Sequence, residues 1–436
     1  MKFKNSFILL LVLAFSVSTA SILRATVKAN DYSQSYPAVV CPPTLNGLSS
    51  QISISSRKTQ YQRLENRSSK TIPFKSLRYS VIKDSLVISA QGVTPVVWQS
   101  RSGSWAGGTI CSGPTASQWF VGGTANVTTK GRLILVNSGL SDAIVDIQSY
   151  SENGKQPLKS VNLKAKSFMQ LSLDSLAPGD KSLAVQVLPR SGRVNAFMID
   201  EQGAGLKALG GDFVNSSAAA LKSIVIPAIP NQISKKGQKA SSAHTLRILT
   251  PGDINTSFTV ELLTADGRFV PVGLSSRAID AGTVTEFALS PKISASSFAV
   301  RISSPDPVVA AISSTVVING HKDFVWSSST PPLTPLTLAV TGLSPLIAFA
   351  GDSISVQLEA KLVNGKIIKA KIKGSDIATW RVPANSRSIS IISTNKDTYA
   401  AALVASANGY GFIPVQAGSI LTKVEVPNSN IRVLNP

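Results

Sequence analysis

Along residues 354–362 apolar and polar side chains alternate without a break. Ile354, Val356, Leu358, Ala360 and Leu362 are separated by Ser355, Gln357, Glu359 and Lys361. A period of two places one set in a core and the other in water, which predicts a half-buried β-strand. The run ends in Asn364-Gly365, a pair that accepts the positive φ a tight hairpin turn demands.

The same device occurs twice more. Leu133-Ile134-Leu135-Val136-Asn137-Ser138-Gly139 and Leu246-Arg247-Ile248-Leu249-Thr250-Pro251-Gly252 are both apolar strands ending in a glycine turn. Each is followed by a second strand, Val145–Ile147 or Phe258–Leu262, and then by Asn153-Gly154 or Asp266-Gly267. The later part of the unit also recurs: Leu183–Val187 leads to Val194–Phe197, Phe298–Ile302 to Val308–Ile312, and Tyr399–Val404 to Tyr410–Ile413. Upstream, Ser85–Ser89 leads to Pro95–Trp98 in a fainter fourth copy. The copies lie roughly 100 to 115 residues apart, the length of one sandwich.

These patterns predict an all-β chain of three to four tandem antiparallel β-sandwich domains, immunoglobulin-like in size, after an N-terminal signal or anchor helix. The expected segments are 1–29 (signal peptide or anchor), 30–125 (an N-terminal β domain), 126–222, 223–334 and 335–436. Pro227, Pro230, Pro331, Pro332 and Pro335 punctuate two of the joins, where proline stiffens a linker. Units of this size can each hold a core, so the sequence reads as beads rather than a solenoid.

The leader changes the picture most. Lys2 and Lys4 precede an apolar run from Phe7 to Ala20, which ends in Ser18-Thr19-Ala20; Val27-Lys28-Ala29 offers a second processing site. This is the arrangement of an export signal. Extended to Leu23, the run would serve instead as an uncleaved membrane anchor. In an oxidising compartment the two cysteines, Cys41 and Cys111, are expected to form one disulfide, the alternative being two buried thiols.

The 436 residues carry 43 Lys and Arg against 23 Asp and Glu, a net charge of +20. Cleavage after Ala20 would remove Lys2 and Lys4 and leave +20 − 2 = +18. A basic exported chain points to anionic envelope polymers rather than nucleic acid. Membrane contact is expected only through the leader, if it is retained.

Candidate chemistry is sparse. The two histidines, His244 and His321, have no neighbours at ligand spacing, and both are expected at the surface. Asp200-Glu201 is the only adjacent acidic pair considered for glycoside chemistry, and a solvated turn is expected there. No catalytic residue, metal ligand or cofactor is assigned. Trp98, Trp105 and Trp119 cluster in sequence with Phe120, within a stretch, 41–130, that holds ten basic residues and two acids. They are the candidate glycan contacts, against the alternative that they fill the core. Lys366, Lys369, Lys371 and Lys373 interleave with Ile367, Ile368, Ala370 and Ile372, as on an exposed strand.

Cys111-Ser112-Gly113-Pro114, Trp119-Phe120-Val121-Gly122-Gly123, the strand and turn at Leu133–Gly139, Asp142-Ala143 and Cys41-Pro42-Pro43 together resemble a family of exported proteins of unknown function from high-GC Gram-positive bacteria. The resemblance implies a cell-envelope location and no established activity. The function expected is that of a non-catalytic envelope protein that binds an anionic polymer or scaffolds envelope components. A carbohydrate-binding or adhesive surface protein is the alternative.

Overall fold

The computed structural model describes residues 38–64, 70–126, 128–204, 207–232, 243–291 and 293–419, with isolated positions at Val12, Phe15, Ser16, Ser18, Thr19, Gln34, Ser35, Lys423 and Val424. The leader expected over 1–29 therefore lies almost wholly outside the described residues. Among the described residues, no helix is long and apolar enough to cross a membrane.

Two compact units are present, Met1–Ser35 with Thr422–Pro436 and Tyr36–Leu421. In the first, β1 (Gln34–Ser35) pairs antiparallel with the last strand, Lys423–Val424. The second unit holds everything else, and its strands gather into four groups.

The first group comprises β2 (Val39–Cys41), β3 (Ser49–Ser53), β4 (Gln60–Arg63), β5 (Ile72–Pro73), β6 (Arg78–Val81), β7 (Leu86–Ser89), β8 (Val93–Thr94), β9 (Val96–Arg101) and β10 (Trp105–Ile110). Its two sheets run β10-β9-β3-β6 and β2-β7-β4-β5. The second group comprises β11 (Gln118–Val121), β12 (Arg132–Asn137), β13 (Ala143–Ser151), β14 (Gly154–Lys155), β15 (Lys159–Leu163), β16 (Ser167–Ser172), β17 (Leu183–Pro189), β18 (Val194–Ala204) and β19 (Lys207–Val214). Here β11-β17-β13-β14 faces β16-β12-β18-β19.

The third group comprises β20 (Leu221–Pro230), β21 (His244–Leu249), β22 (Thr256–Thr264), β23 (Gly267–Phe269), β24 (Arg277–Ile279), β25 (Thr285–Leu289), β26 (Ser297–Ile318) and β27 (His321–Ser328). The fourth comprises β28 (Leu336–Ala339), β29 (Leu346–Leu362), β30 (Ile367–Arg381), β31 (Ser386–Thr394), β32 (Tyr399–Ala405) and β33 (Tyr410–Pro414). Lys423–Val424 is β34. The chain is all-β, built of antiparallel sheets in sandwich-type groups; among the described strands, β8 adds to β28 in parallel.

The three expected hairpin turns are present, with Gly154, Gly267 and Gly365 at φ of 101°, 117° and 91°. Where sequence reading expects two strands at Phe298–Ile302 and Val308–Ile312, there is one. Strand β26 runs 22 residues, pairing β20 and β22 with its first part and β21 and β27 with its second. Pro305 and Pro307 fall in the stretch between those pairings, where no ladder needs their missing N–H.

The beads share their cores. Trp105 packs with Ile134, Val136, Phe197 and Phe213, joining groups one and two. Val121 and Met198 pack with Leu249 and Trp326, joining two and three. Val225 and Ala299 pack with Ala348 and Phe412, joining three and four. Trp98 and Ile110 pack with Ile347 and Ile413, joining four back to one. The four groups therefore close into a ring. At its centre the last strands of the groups contact one another in turn, β10 with β19, β19 with β27, β27 with β33 and β33 with β10.

Such close approach of four backbones depends on glycine. A Cβ at Gly211 would meet the Trp105 ring at 2.8 Å, and one at Gly411 would meet the Trp98 ring at 2.8 Å. A Cβ at Gly409 would fall on the amide of Ala106.

Candidate functional site

Three places in the ring carry concentrated polar or accessible groups: its buried centre, a cleft where the linkers converge, and the outward face of β29 and β30.

The centre is acidic. Asp323, on β27, accepts from the N–H of Gly211 at 3.0 Å and of Phe324 at 2.9 Å through Oδ1. The backbone of Ala106 and of Tyr410 also lies against this carboxyl and favours its charged form. One carboxyl thus touches the last strands of all four groups. Asp212 accepts from the N–H of Trp326 at 2.9 Å and of Phe213 at 2.8 Å. Asp200 accepts from the Trp326 indole at 3.0 Å.

Burial raises all three carboxyls. Asp323 is pushed up to about 7, Asp212 well above its usual range with further help from Asp323 and Asp200, and Asp200 upward against the pull of Trp326 and Arg247. The Arg247 guanidinium sits 4.8 Å from the Trp326 ring and donates to the carbonyls of Gly123 at 2.5 Å and Leu183 at 3.1 Å. These bonds are made to backbone and to neighbouring strands, which is the pattern of an architectural joint. Among the described residues, no group of three or more His, Cys, Asp or Glu is placed to hold a metal ion.

The expected solvated turn at Asp200-Glu201 is therefore corrected. Both lie buried on β18, and Glu201 is held by Arg101 at 2.5 and 2.9 Å. His244 is likewise buried rather than at the surface; its Nδ1 lies 2.9 Å from Ser314 Oγ. Burial lowers its pKa to about 4. His321 is half-buried.

The three tryptophans do not come together. Trp98, Trp105 and Trp119 are 6%, 0% and 4% exposed and lie in three different cores. Trp119 stacks on Tyr150 with centroids 5.8 Å apart. None offers a ring face to solvent, so the glycan stacking expected of them has no surface to act through. Cys41 and Cys111 are joined by a disulfide, with Cα atoms 4.3 Å apart.

Sequence reading missed the centre, although a signal for it exists. Asp212-Phe213-Val214, Asp323-Phe324-Val325 and Gly411-Phe412-Ile413 are similar tripeptides that fall in three of the four last strands. In each, the phenylalanine is buried.

The linkers leaving the four last strands line a single cleft of about 520 Å³, so these strands all end at one end of the ring. Gly113-Pro114, Ser217-Ala218, Thr330-Pro331 and Gln416-Ala417 are its contributions from the four linkers.

The third place is the lysine strand. On β30, Ile368, Ala370 and Ile372 pack against the core of the fourth group, while Lys369, Lys371 and Lys373 point the other way and are exposed. They stand opposite Glu359, Gln357 and Ser355 of β29. Alternate residues on a strand lie roughly 7 Å apart, so the three lysines follow one another along one face of β30. Lys369 pairs with Glu359 at 3.4 Å; among the described residues Lys371 and Lys373 make no ion pair.

Curated proteins offer no match to the sequence. Among solved structures, the crystal structure of Thermotoga maritima 1070 is similar at 17% identity and a TM-score of 0.21, covering 23% of this chain and 92% of that one. The profile of a "Family of unknown function (DUF5719)" matches residues 89–372, a span that contains the Cys111–Gly139 motifs and runs into β30. With more than half of its length matched, the chain belongs to this family of unknown function.

Proposed function

We propose that this protein is a non-catalytic, exported component of the cell envelope that binds an anionic envelope polymer through the outward face of β29 and β30. The row of Lys369, Lys371 and Lys373 carries this reading. It is a solvent-facing line of lysines whose alternate residues pack against the core, and two of the three have no acidic partner among the described residues. A flexible polyanion can lie along such a row and exchange its counterions for lysines, at little cost in protein order. The net charge of +20 adds long-range attraction. The export-like leader and the Cys41–Cys111 disulfide support a location outside the cytoplasm. A scaffolding role would use the same surface. The adhesive alternative loses support with the burial of Trp98, Trp105 and Trp119.

The test is co-sedimentation of the full chain with poly(glycerol phosphate) across a salt series. Binding should fade steeply between about 50 and 300 mM salt. The K369E/K371E/K373E variant should lose it while melting as the wild type does. Unchanged binding by that variant, or binding indifferent to salt, would overturn the proposal.

A further inference from the structure

The cleft at the end of the ring differs in character from the lysine row and stands independently of it. None of the described residues lining it is charged, in a chain with 43 basic and 23 acidic residues. Leu221, Ile224, Val415 and Pro331 give it an apolar body, Tyr399 supplies a ring, and serine and threonine hydroxyls are spread through the lining. Its volume, about 520 Å³, falls within the range of small-molecule sites, which are mostly apolar with a few convergent polar groups.

Thr330 supplies a second observation. It lines the cleft, is 6% exposed, and its backbone N–H is held by the carbonyl of Val225 at 3.2 Å. Its buried hydroxyl has no hydrogen-bond partner among the described residues. A buried polar group left unpaired costs free energy, which a ligand hydroxyl would recover once Thr330 turns about χ1 toward the cleft. A charged ligand would have no counterion in this lining and would lose its hydration on entry.

We propose that the cleft is a binding site for one uncharged amphiphile, with an apolar chain against Leu221, Ile224 and Val415 and a hydroxylated head within reach of Thr330. Because all four linkers contribute to the lining, an occupant would touch every group of the ring and stabilise its closed form by mass action.

The probe is Nile red, which is neutral and brightens in apolar surroundings, titrated into the full chain and then displaced. One equivalent should bind, n-octyl β-glucoside should displace it, and octanoate should not. Ala219 and Pro332 are exposed and lie in the lining on different linkers. A219W and P332W should each weaken Nile red binding at least tenfold at unchanged melting temperature. T330V, which keeps the shape and removes the hydroxyl, should weaken displacement by the glucoside about threefold or more. Unaltered Nile red affinity in both tryptophan variants would overturn the site. Equal displacement by octanoate, or a T330V variant indistinguishable from wild type, would overturn the uncharged amphiphile as its ligand.

Discussion

Asp212 and Asp323 exchange bonds across the ring. Asp212 accepts an N–H from Trp326, three residues beyond Asp323, and Asp323 accepts one from Gly211, the residue before Asp212. Each also accepts the amide of the phenylalanine that follows it. Two strands from different groups are thereby fastened side by side without being partners in one sheet, and the fasteners are acids removed from water.

That burial predicts an inverted pH response. The Asp323 carboxyl is pushed up to about 7, against about 3.9 in an unfolded chain. Between those values the folded state holds more protons than the unfolded one, so this group's contribution falls as pH rises through the window and levels off above it. At about 1.4 kcal/mol per pH unit, the loss is on the order of 4 kcal/mol. D323N removes the titration and keeps an acceptor. Denaturant unfolding at pH 5 and pH 8 should show the wild type losing stability relative to D323N as pH rises; parallel pH dependences would refute the assignment.

His244 works in the opposite sense. Its folded pKa is lowered to about 4, from about 6.5 unfolded. Its contribution is intact above pH 6.5 and is lost as pH falls toward 4, by on the order of 3 kcal/mol. H244N should flatten the acid limb of the stability curve. An acid limb as steep as the wild type's would show that His244 is not its source.

Gly409 and Gly252 make a matched pair for the ring centre. A Cβ at Gly409 falls on the backbone of Ala106, whereas one at Gly252 meets nothing within 4 Å. G409A should cost more than about 2 kcal/mol, as overpacking of rigid backbone does. G252A should stay within about 0.5 kcal/mol of wild type. Comparable urea midpoints for the two variants would contradict the tight central packing.

The disulfide closes a loop with a sequence separation of 70. On the chain-entropy account it stabilises by about 4 kcal/mol. The C41S/C111S variant should melt well below wild type in calorimetry. Both cysteines are fully buried, so dithiothreitol added to the native protein should not reproduce that loss until the chain is warmed toward unfolding.

The strands were legible because their signals are local. Alternation at Ile354–Leu362 and the Asn-Gly and Asp-Gly turns depend only on neighbours in sequence, and they hold in the structure. The ring was not legible because it depends on residues hundreds of positions apart. Nothing near Gly409 announces Ala106, and nothing near Asp323 announces Gly211. Trp98, Trp105 and Trp119 could not be placed from sequence alone, for a related reason. Closeness in sequence on separate short strands does not mean closeness in space, and each ring was drawn into a different shared core. The lysine row was legible in part: the alternation marks the strand, but that no acid stands beside Lys371 and Lys373 among the described residues shows only once β29 and β30 are paired in register.

Strand β10 is made early and β33 late, yet the two lie against each other, separated by roughly 300 residues of chain, a contact order that slows folding. A polypeptide that emerges from its N-terminus must hold the apolar flank of β10 without its final neighbour until nearly everything else has been delivered. Exposure of that kind invites association between copies. The ring therefore imposes a waiting time on its own first quarter, and whatever guards Trp98 and Ile110 during that interval limits how much protein survives to close.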